Sequence, residues 1–212
     1  MFARVTGLMR QEMKNIIGKS SVGLVCLCML QACSIYPEKL SLFASIGLAD
    51  HFTVHRHRNF VFPLDTSFYI PIPMVRAESP AVDVFVLESS VEIAFSALTS
   101  KFSYAVTGSH PEGLEAAFNS AADKRCNYVF YMEFIDIHDS VGFPMRPDWP
   151  GPGGIDRIHL KVILAEVKTR QIIDSIDIQS ESGWSSFFHD RPIELLRLPL
   201  RNVSVLLSSQ WN

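Results

Sequence analysis

What this 212-residue chain lacks narrows its function before any motif is read. It has four cysteines, and three of them (Cys26, Cys28 and Cys33) fall within the first 33 residues. Cys126 stands alone in the remainder, which cannot close a disulfide within itself and cannot build a paired-cysteine metal site. No run of lysine and arginine suits a phosphate backbone, so nucleic acid is not an expected partner. A glycine-rich phosphate cradle and a Gly-x-Ser-x-Gly elbow are both missing, which removes two common enzyme signatures. Apolar runs are short. Residues 20–32 (SSVGLVCLCMLQA) would reach about 20 Å as a helix, against a hydrocarbon core of ~30 Å. A stable transmembrane helix is disfavoured there.

What is present at the N-terminus is an export leader. Arg4, Arg10, Lys14 and Lys19 against a single Glu12 form a basic segment, and the short apolar stretch follows it. The stretch ends in Leu30-Gln31-Ala32-Cys33, which resembles the lipobox of bacterial lipoproteins. Gln31 departs from the small or branched residue usual at its place. The alternatives are an ordinary signal peptide cut elsewhere and an uncleaved anchor. The resemblance implies removal of residues 1–32, lipidation of Cys33 and a membrane partner held through two or three acyl chains. One chain alone binds only marginally, at ~0.8 kcal/mol per buried CH₂. Ser34, rather than Asp, follows Cys33, which in Gram-negative lipoproteins implies sorting to the outer membrane, facing the periplasm. The remaining 180 residues carry 15 basic and 21 acidic side chains, a formal charge of −6. They suffice for one domain with a real core.

Residues 33–63 read as a flexible tether, with Pro37, Gly47 and the polar cluster His51, His55, Arg56, His57 and Arg58. From Leu64 to the C-terminus (64–212) the chain reads as one α/β domain. Phe68–Ile72 is β-prone, and Val82–Leu87 is apolar without a clear period. Ser89-Ser90-Val91-Glu92 has the form of a capping box, with Val91, Phe95, Leu98 and Phe102 as one helical face behind it. Tyr104–Thr107 is a short strand ended by Gly108, and Ser109-His110-Pro111-Glu112 repeats the capping signature before Leu114, Phe118 and Ala121. Tyr128–Ile137 is apolar on both alternating faces, as a strand covered on both sides would be. Ile158, Leu160, Val162 and Leu164 alternate with His159, Lys161 and Ile163 as a half-buried strand, Lys168-Thr169-Arg170-Gln171 is a turn, and Ile172–Ile178 returns as a hairpin partner. Leu196, Leu200, Val203 and Leu207 make a last helical stripe that Pro199 kinks or divides. The expected order is β-α-β-α-β-β-β-α, a mixed sheet packed on helices.

Several of these segments together resemble a family of small Gram-negative lipoproteins known as domain of unknown function 4823. They are Asn127-Tyr128-Val129-Phe130-Tyr131, Ile155-Asp156-Arg157-Ile158, Ile172-Ile173-Asp174-Ser175, and Trp184 before Pro192. The likeness spans roughly residues 64–209. Arg125-Cys126-Asn127 stands where the family tends to carry Gly-Ala-Asp, and loop 140–154 is unusually rich in proline. More distantly, the Val167-to-Ile172 turn and its setting resemble periplasmic α/β domains of the curli-secretion lipoprotein. Lipoprotein activators of penicillin-binding proteins are similar in the same way. These likenesses imply an assembly or regulatory module of the cell envelope rather than an enzyme.

The candidate sites are weighed on that footing. Loop 140–154 (SVGFPMRPDWPGPGG) presents Phe143, Met145 and Trp149 on a proline-stiffened segment, as a surface for an envelope protein partner would. Packing back onto the sheet is its alternative, and Trp184, Phe187 and Phe188 pose the same choice with packing favoured. Asp136, His138, Asp139 and His159 gather near one loop end if their strands pair antiparallel. A periplasmic enzyme or metal protein would use Asp136, His138 and His159; polar strand ends meeting water are the plainer reading. His51, His55 and His57 offer imidazoles to a divalent metal, but no carboxylate accompanies them locally and the interleaved arginines would repel a cation, so a solvated tether is expected there. Cys126 reads as a buried inert thiol, with Lys124 and Arg125 beside it as the argument for reactivity. No cofactor and no catalytic residue is expected.

Overall fold

Tyr128–His138 carries apolar side chains on both alternating faces, and such a strand is stable only where both faces are covered. The computed structural model, which describes residues 49–74, 84–138, 156–183 and 192–208, places it inside a six-stranded mixed sheet. In chain order the elements are β1 (His51–Arg56), β2 (Ser67–Pro73), α1 (Val84–Thr99), β3 (Tyr104–Glu112) and α2 (Leu114–Asp123). They continue with β4 (Tyr128–His138), β5 (Arg157–Glu166), β6 (Gln171–Glu181), a 3-10 turn over Pro192–Leu196 and α3 (Arg197–Ser208). From β2 onward this is the order expected from the sequence. The sheet runs β1-β6-β5-β4-β2-β3. β2 pairs parallel with both β3 and β4, whereas β4, β5, β6 and β1 pair antiparallel.

The two faces of the sheet are covered unequally. On one face α1 and α3 lie over the strands: Leu87, Val91, Ala94 and Leu98 of α1 and Leu200, Val203 and Leu207 of α3 share one core with Phe68 and Ile70 of β2. The same core continues through Phe130 and Met132 of β4, Leu160 and Val162 of β5, and Ile176 and Ile178 of β6. On the other face a smaller core joins Ala117, Phe118 and Ala121 of α2 to Tyr69, Val129 and Tyr131. Alternation along β4 feeds both cores, Phe130, Met132 and Phe134 to one and Val129 and Tyr131 to the other.

Several local expectations are corrected. The tether does not extend to residue 63: His51–Arg56 is an edge strand paired with β6, and Phe62 is buried against Phe68 and Tyr128. Residues 33–48 of the expected tether lie outside the described residues. β1 is held by Arg56, whose Nε and Nη2 donate to Asp174 Oδ2 at 3.1 and 2.6 Å, with a further bond from Nη1 to the Leu206 carbonyl. The backbone N–H groups of Arg58 and Ser175 donate to Asp174 Oδ1, so this fully buried carboxylate is well satisfied. A residue expected in solvated chain is thus one end of a buried ion pair.

Ser89 does not cap α1, which already includes Val84; instead Ser90 Oγ donates to the Leu87 carbonyl inside the helix. Phe95 of the expected stripe is exposed, because the buried face follows Leu87, Val91, Ala94 and Leu98. Likewise Ser109-His110-Pro111-Glu112 belongs to β3, and Gly113 is the N-cap of α2. Gly108 does not end β3. A Cβ there would come within 2.8 Å of Tyr69 Oη and 3.2 Å of Pro71 Cα, so glycine lets the strand pass close to β2. Pro199 sits in the first turn of α3, where no N–H is needed, and the segment divides before it, at Leu196 and Arg197.

Candidate functional site

Among the described residues α2 packs on β2, β3 and β4, and its core takes in Ile163 and Ala165 of β5, while no described helix covers the rest of the antiparallel half's outer face. Alternation decides what stands there. Ile176 and Ile178 of β6 point to the α1/α3 core, so Asp177 and Gln179 point away; Leu160 and Val162 of β5 do the same for His159 and Lys161. In β1, exposed His51, Thr53 and His55 alternate with half-buried Phe52, Val54 and Arg56. The result is a polar face rich in imidazole.

Asp177 is its centre. It lies directly opposite His55 in the β1–β6 register. His57, just past β1, places Nε2 2.7 Å from Asp177 Oδ2, and its backbone N–H donates to the Ser175 carbonyl. From the other side, His159 Nε2 of β5 lies 3.9 Å from Asp177 Oδ1. The rings of His55 and His57 meet edge to face with centroids 5.2 Å apart. One ligand atom from each of His55, His57 and Asp177 lies within 4.8 Å of the others, the one such group of three found among the described residues. His51 is diverted to Glu181 at 3.4 Å, where Arg157 also binds.

The expected pairing of β4 with β5 is present, with Asp136 opposite His159 and His138 opposite Arg157 after a bulge at Ile135. The three residues share the outer face, yet His159 turns toward Asp177 and not into a cluster with Asp136 and His138. Asp177 is the site residue that sequence reasoning missed. The alternation Ile176-Asp177-Ile178 signals that it faces outward, but nothing local signals its histidine partners, since His57 lies 120 residues away. Of the arginines expected to repel a cation from the histidine tract, Arg56 does not face it, because its guanidinium is bound to Asp174 on the opposite side, while the exposed Arg58 guanidinium reaches the Ile173 carbonyl. Cys33, Asp139, Phe143, Met145, Trp149, Trp184, Phe187 and Phe188 lie outside the described residues.

Two buried groups on the α2 side are chemically quiet. The Cys126 thiol is pushed up to about 11 by burial, with nearby Lys124 only partly opposing. That corresponds to the inert thiol expected for it. Tyr69 Oη donates to Glu112 Oε1 at 2.7 Å, and burial followed by that carboxylate pushes the phenol up to about 12.

With this geometry in view, the comparisons are specific. A family model described as a domain of unknown function (DUF4823) matches residues 74–205. The chain belongs to this family. No curated protein matches the sequence. Among solved structures, the DUF4823 chain is similar to the PelC dodecamer from Paraburkholderia phytofirmans, with a TM-score of 0.56 and 14% identity. That alignment covers 76% of this chain and 100% of PelC. A single-site variant of PelC gives a TM-score of 0.55 at 14% identity, over 74% of this chain and 99% of the variant. Lipoprotein GNA1162 from Neisseria meningitidis is more loosely similar, with a TM-score of 0.42 and 11% identity over 66% of this chain and 98% of that one. The likeness to PelC shows a shared fold. The DUF4823 match begins at Met74, so Asp177 and His159 lie inside it while β1, with His55, and the adjoining His57 precede it.

Proposed function

We propose that this DUF4823 protein is a lipid-anchored module of the bacterial envelope, held at the outer membrane through Cys33 and facing the periplasm. It works by binding another envelope component rather than by catalysis. The observation that carries this reading is the leader ending in Leu30-Gln31-Ala32-Cys33 ahead of a family domain. Among the described residues no helix is long and apolar enough to cross a membrane, which agrees with attachment through lipid. The shared fold with PelC, a protein seen as a dodecamer, supports an assembly role. Because β1 begins at His51, only seventeen residues separate it from Cys33. At ~3.3–3.6 Å per residue they reach about 60 Å at most, so the domain works close to the bilayer. Phe143, Met145 and Trp149 in loop 140–154 are the proposed contacts with the partner.

Intact-mass spectrometry of protein from its native host, together with density-gradient fractionation, tests the anchor. The expected product begins at Cys33, carries acyl chains and sediments with outer membranes. An unmodified Cys33 thiol, or a soluble product, overturns the reading. Pull-down from envelopes then tests the contacts: a partner retained undiminished by the double variant F143A/W149A removes the loop from the account.

A further inference from the structure

We propose that His55, His57 and Asp177 form a binding site for a borderline divalent transition-metal ion such as Zn²⁺, with His159 poised to complete it. The site lies on the open outer face of β1, β6 and β5 and is independent of how the chain is anchored.

The donor set selects the metal class. Imidazole and carboxylate together suit zinc, copper and nickel, whereas calcium and magnesium demand oxygen ligands. Three protein ligands with a fourth position left to His159 or water is a common zinc arrangement. At Zn–N and Zn–O bonds of ~2.0–2.2 Å, tetrahedral ligands stand about 3.4 Å apart. The three donor atoms already lie within 4.8 Å of one another, so closing on an ion needs side-chain movements of about 1 Å rather than rearrangement of strands.

The scaffold also supports the assignment. Each ligand is fixed by the sheet: His55 by its register with Asp177, His57 by its backbone bond to Ser175, and Asp177 by its place in β6 between β1 and β5. Such preorganisation leaves little conformational entropy to be lost on binding. Both oxygens of Asp177 are approached by imidazole, His57 at Oδ2 and His159 at Oδ1. Without metal, that carboxylate holds the ligand rings in place. Lys161 stands opposite Asp177 on β5 and opposite Glu133 on β4.

Titration of the full-length protein, purified in detergent, with Zn²⁺ by calorimetry and with Co²⁺ by absorption tests the site. One ion per chain is expected, with the visible bands of a four- or five-coordinate Co²⁺ centre. Thiolate charge-transfer absorption in the near ultraviolet should be absent. H55Q, H57Q and D177N should each weaken Zn²⁺ binding at least about 100-fold, the upper range for losing even a supporting group of a metal site. H51Q and H138Q should leave it unchanged. As a measurement that needs no variant, the imidazole resonances of His55 and His57 should shift on Zn²⁺ addition to the wild-type protein. Absence of saturable binding, thiolate absorption, or binding that survives in the triple variant H55Q/H57Q/D177N overturns the assignment.

Discussion

The two halves of the sheet share β4 and yet meet solvent differently. The parallel half, β3-β2-β4, is covered on one face by α1 and on the other by α2. The antiparallel half, β5-β6-β1, is covered by α3 and the 3-10 turn on one face; among the described residues its other face is covered by α2's core at Ile163 and Ala165 and elsewhere presents His51, His55, His159, Asp177 and Gln179. Connectivity accounts for the difference. Parallel neighbours need crossover helices, which shield the faces they cross, whereas antiparallel neighbours are joined by tight turns and can leave one face wet. Stability is therefore concentrated in the parallel half and along the α1/α3 face, leaving the outer antiparallel face free to hold chemistry.

The comparison breaks first at the buried anchor of the open half. D174A removes a carboxylate that accepts four hydrogen bonds and leaves the Arg56 guanidinium buried without its counter-charge. Losing one partner of a buried pair costs about 3–5 kcal/mol, and urea unfolding should show a loss of that size. A loss below 1 kcal/mol would mean that β1 is not integral to the domain.

Next comes a matched pair of substitutions on the outer face. F118A removes a fully buried ring between α2 and the sheet and should cost about 3–5 kcal/mol. Q179A, on the outer face of β6, should stay within about 0.5 kcal/mol of wild type. Similar costs for the two in urea unfolding would erase the distinction between covered and open halves.

How far this was legible follows from the range of the interactions. The β5–β6 hairpin, the double-sided β4 and the stripe of Leu196 in the 3-10 turn with Leu200, Val203 and Leu207 of α3 each declare themselves within a dozen residues, and each is readable. β1 is not. Its six residues, HFTVHR, have the polarity of a solvated chain, and what makes them a strand is Asp174, 118 residues from Arg56. Capping signatures misled twice because Ser89 and Ser109 lie inside elements whose ends are set elsewhere. Among the site residues, His159 was singled out, but its partner Asp177 is brought to it by the hairpin and to His57 by a long-range strand pairing.

Alkaline titration separates the halves without mutation. Tyr69 and Cys126 both belong to the α2 core, and their protons are held in the folded state to about 12 and about 11, against 10.0 and 9.0 for the free side chains. Above pH 9 the unfolded chain releases these protons before the folded one does. Stability that is complete below pH 9 is therefore lost progressively between about pH 9 and 12. Urea midpoints measured from pH 8 to 11.5 should fall across that window, and C126A should flatten its lower part, between about 9 and 11. A C126A profile parallel to wild type would show that the thiol is not held in a dry layer.

The smallest effect sharpens the comparison by strengthening the covered half. Arg125 follows α2 with φ of 58°, and the chain closes there through bonds from the Arg125 and Cys126 N–H groups to the Ala122 and Ala121 carbonyls. This is the left-handed position after a helix that glycine ordinarily fills, and a residue with a Cβ pays about 1–2 kcal/mol to occupy it. The resemblance to the family places glycine there too. R125G relieves that strain but gives the unfolded chain more freedom, a cost of about 0.4–1 kcal/mol. The exposed Arg125 side chain contributes little packing, so the strain should dominate. A net gain of about 0.5–1 kcal/mol is expected in urea unfolding, with Zn²⁺ affinity untouched because the site lies on the other half. A loss of stability in R125G would mean that the α2–β4 corner is relaxed as it stands.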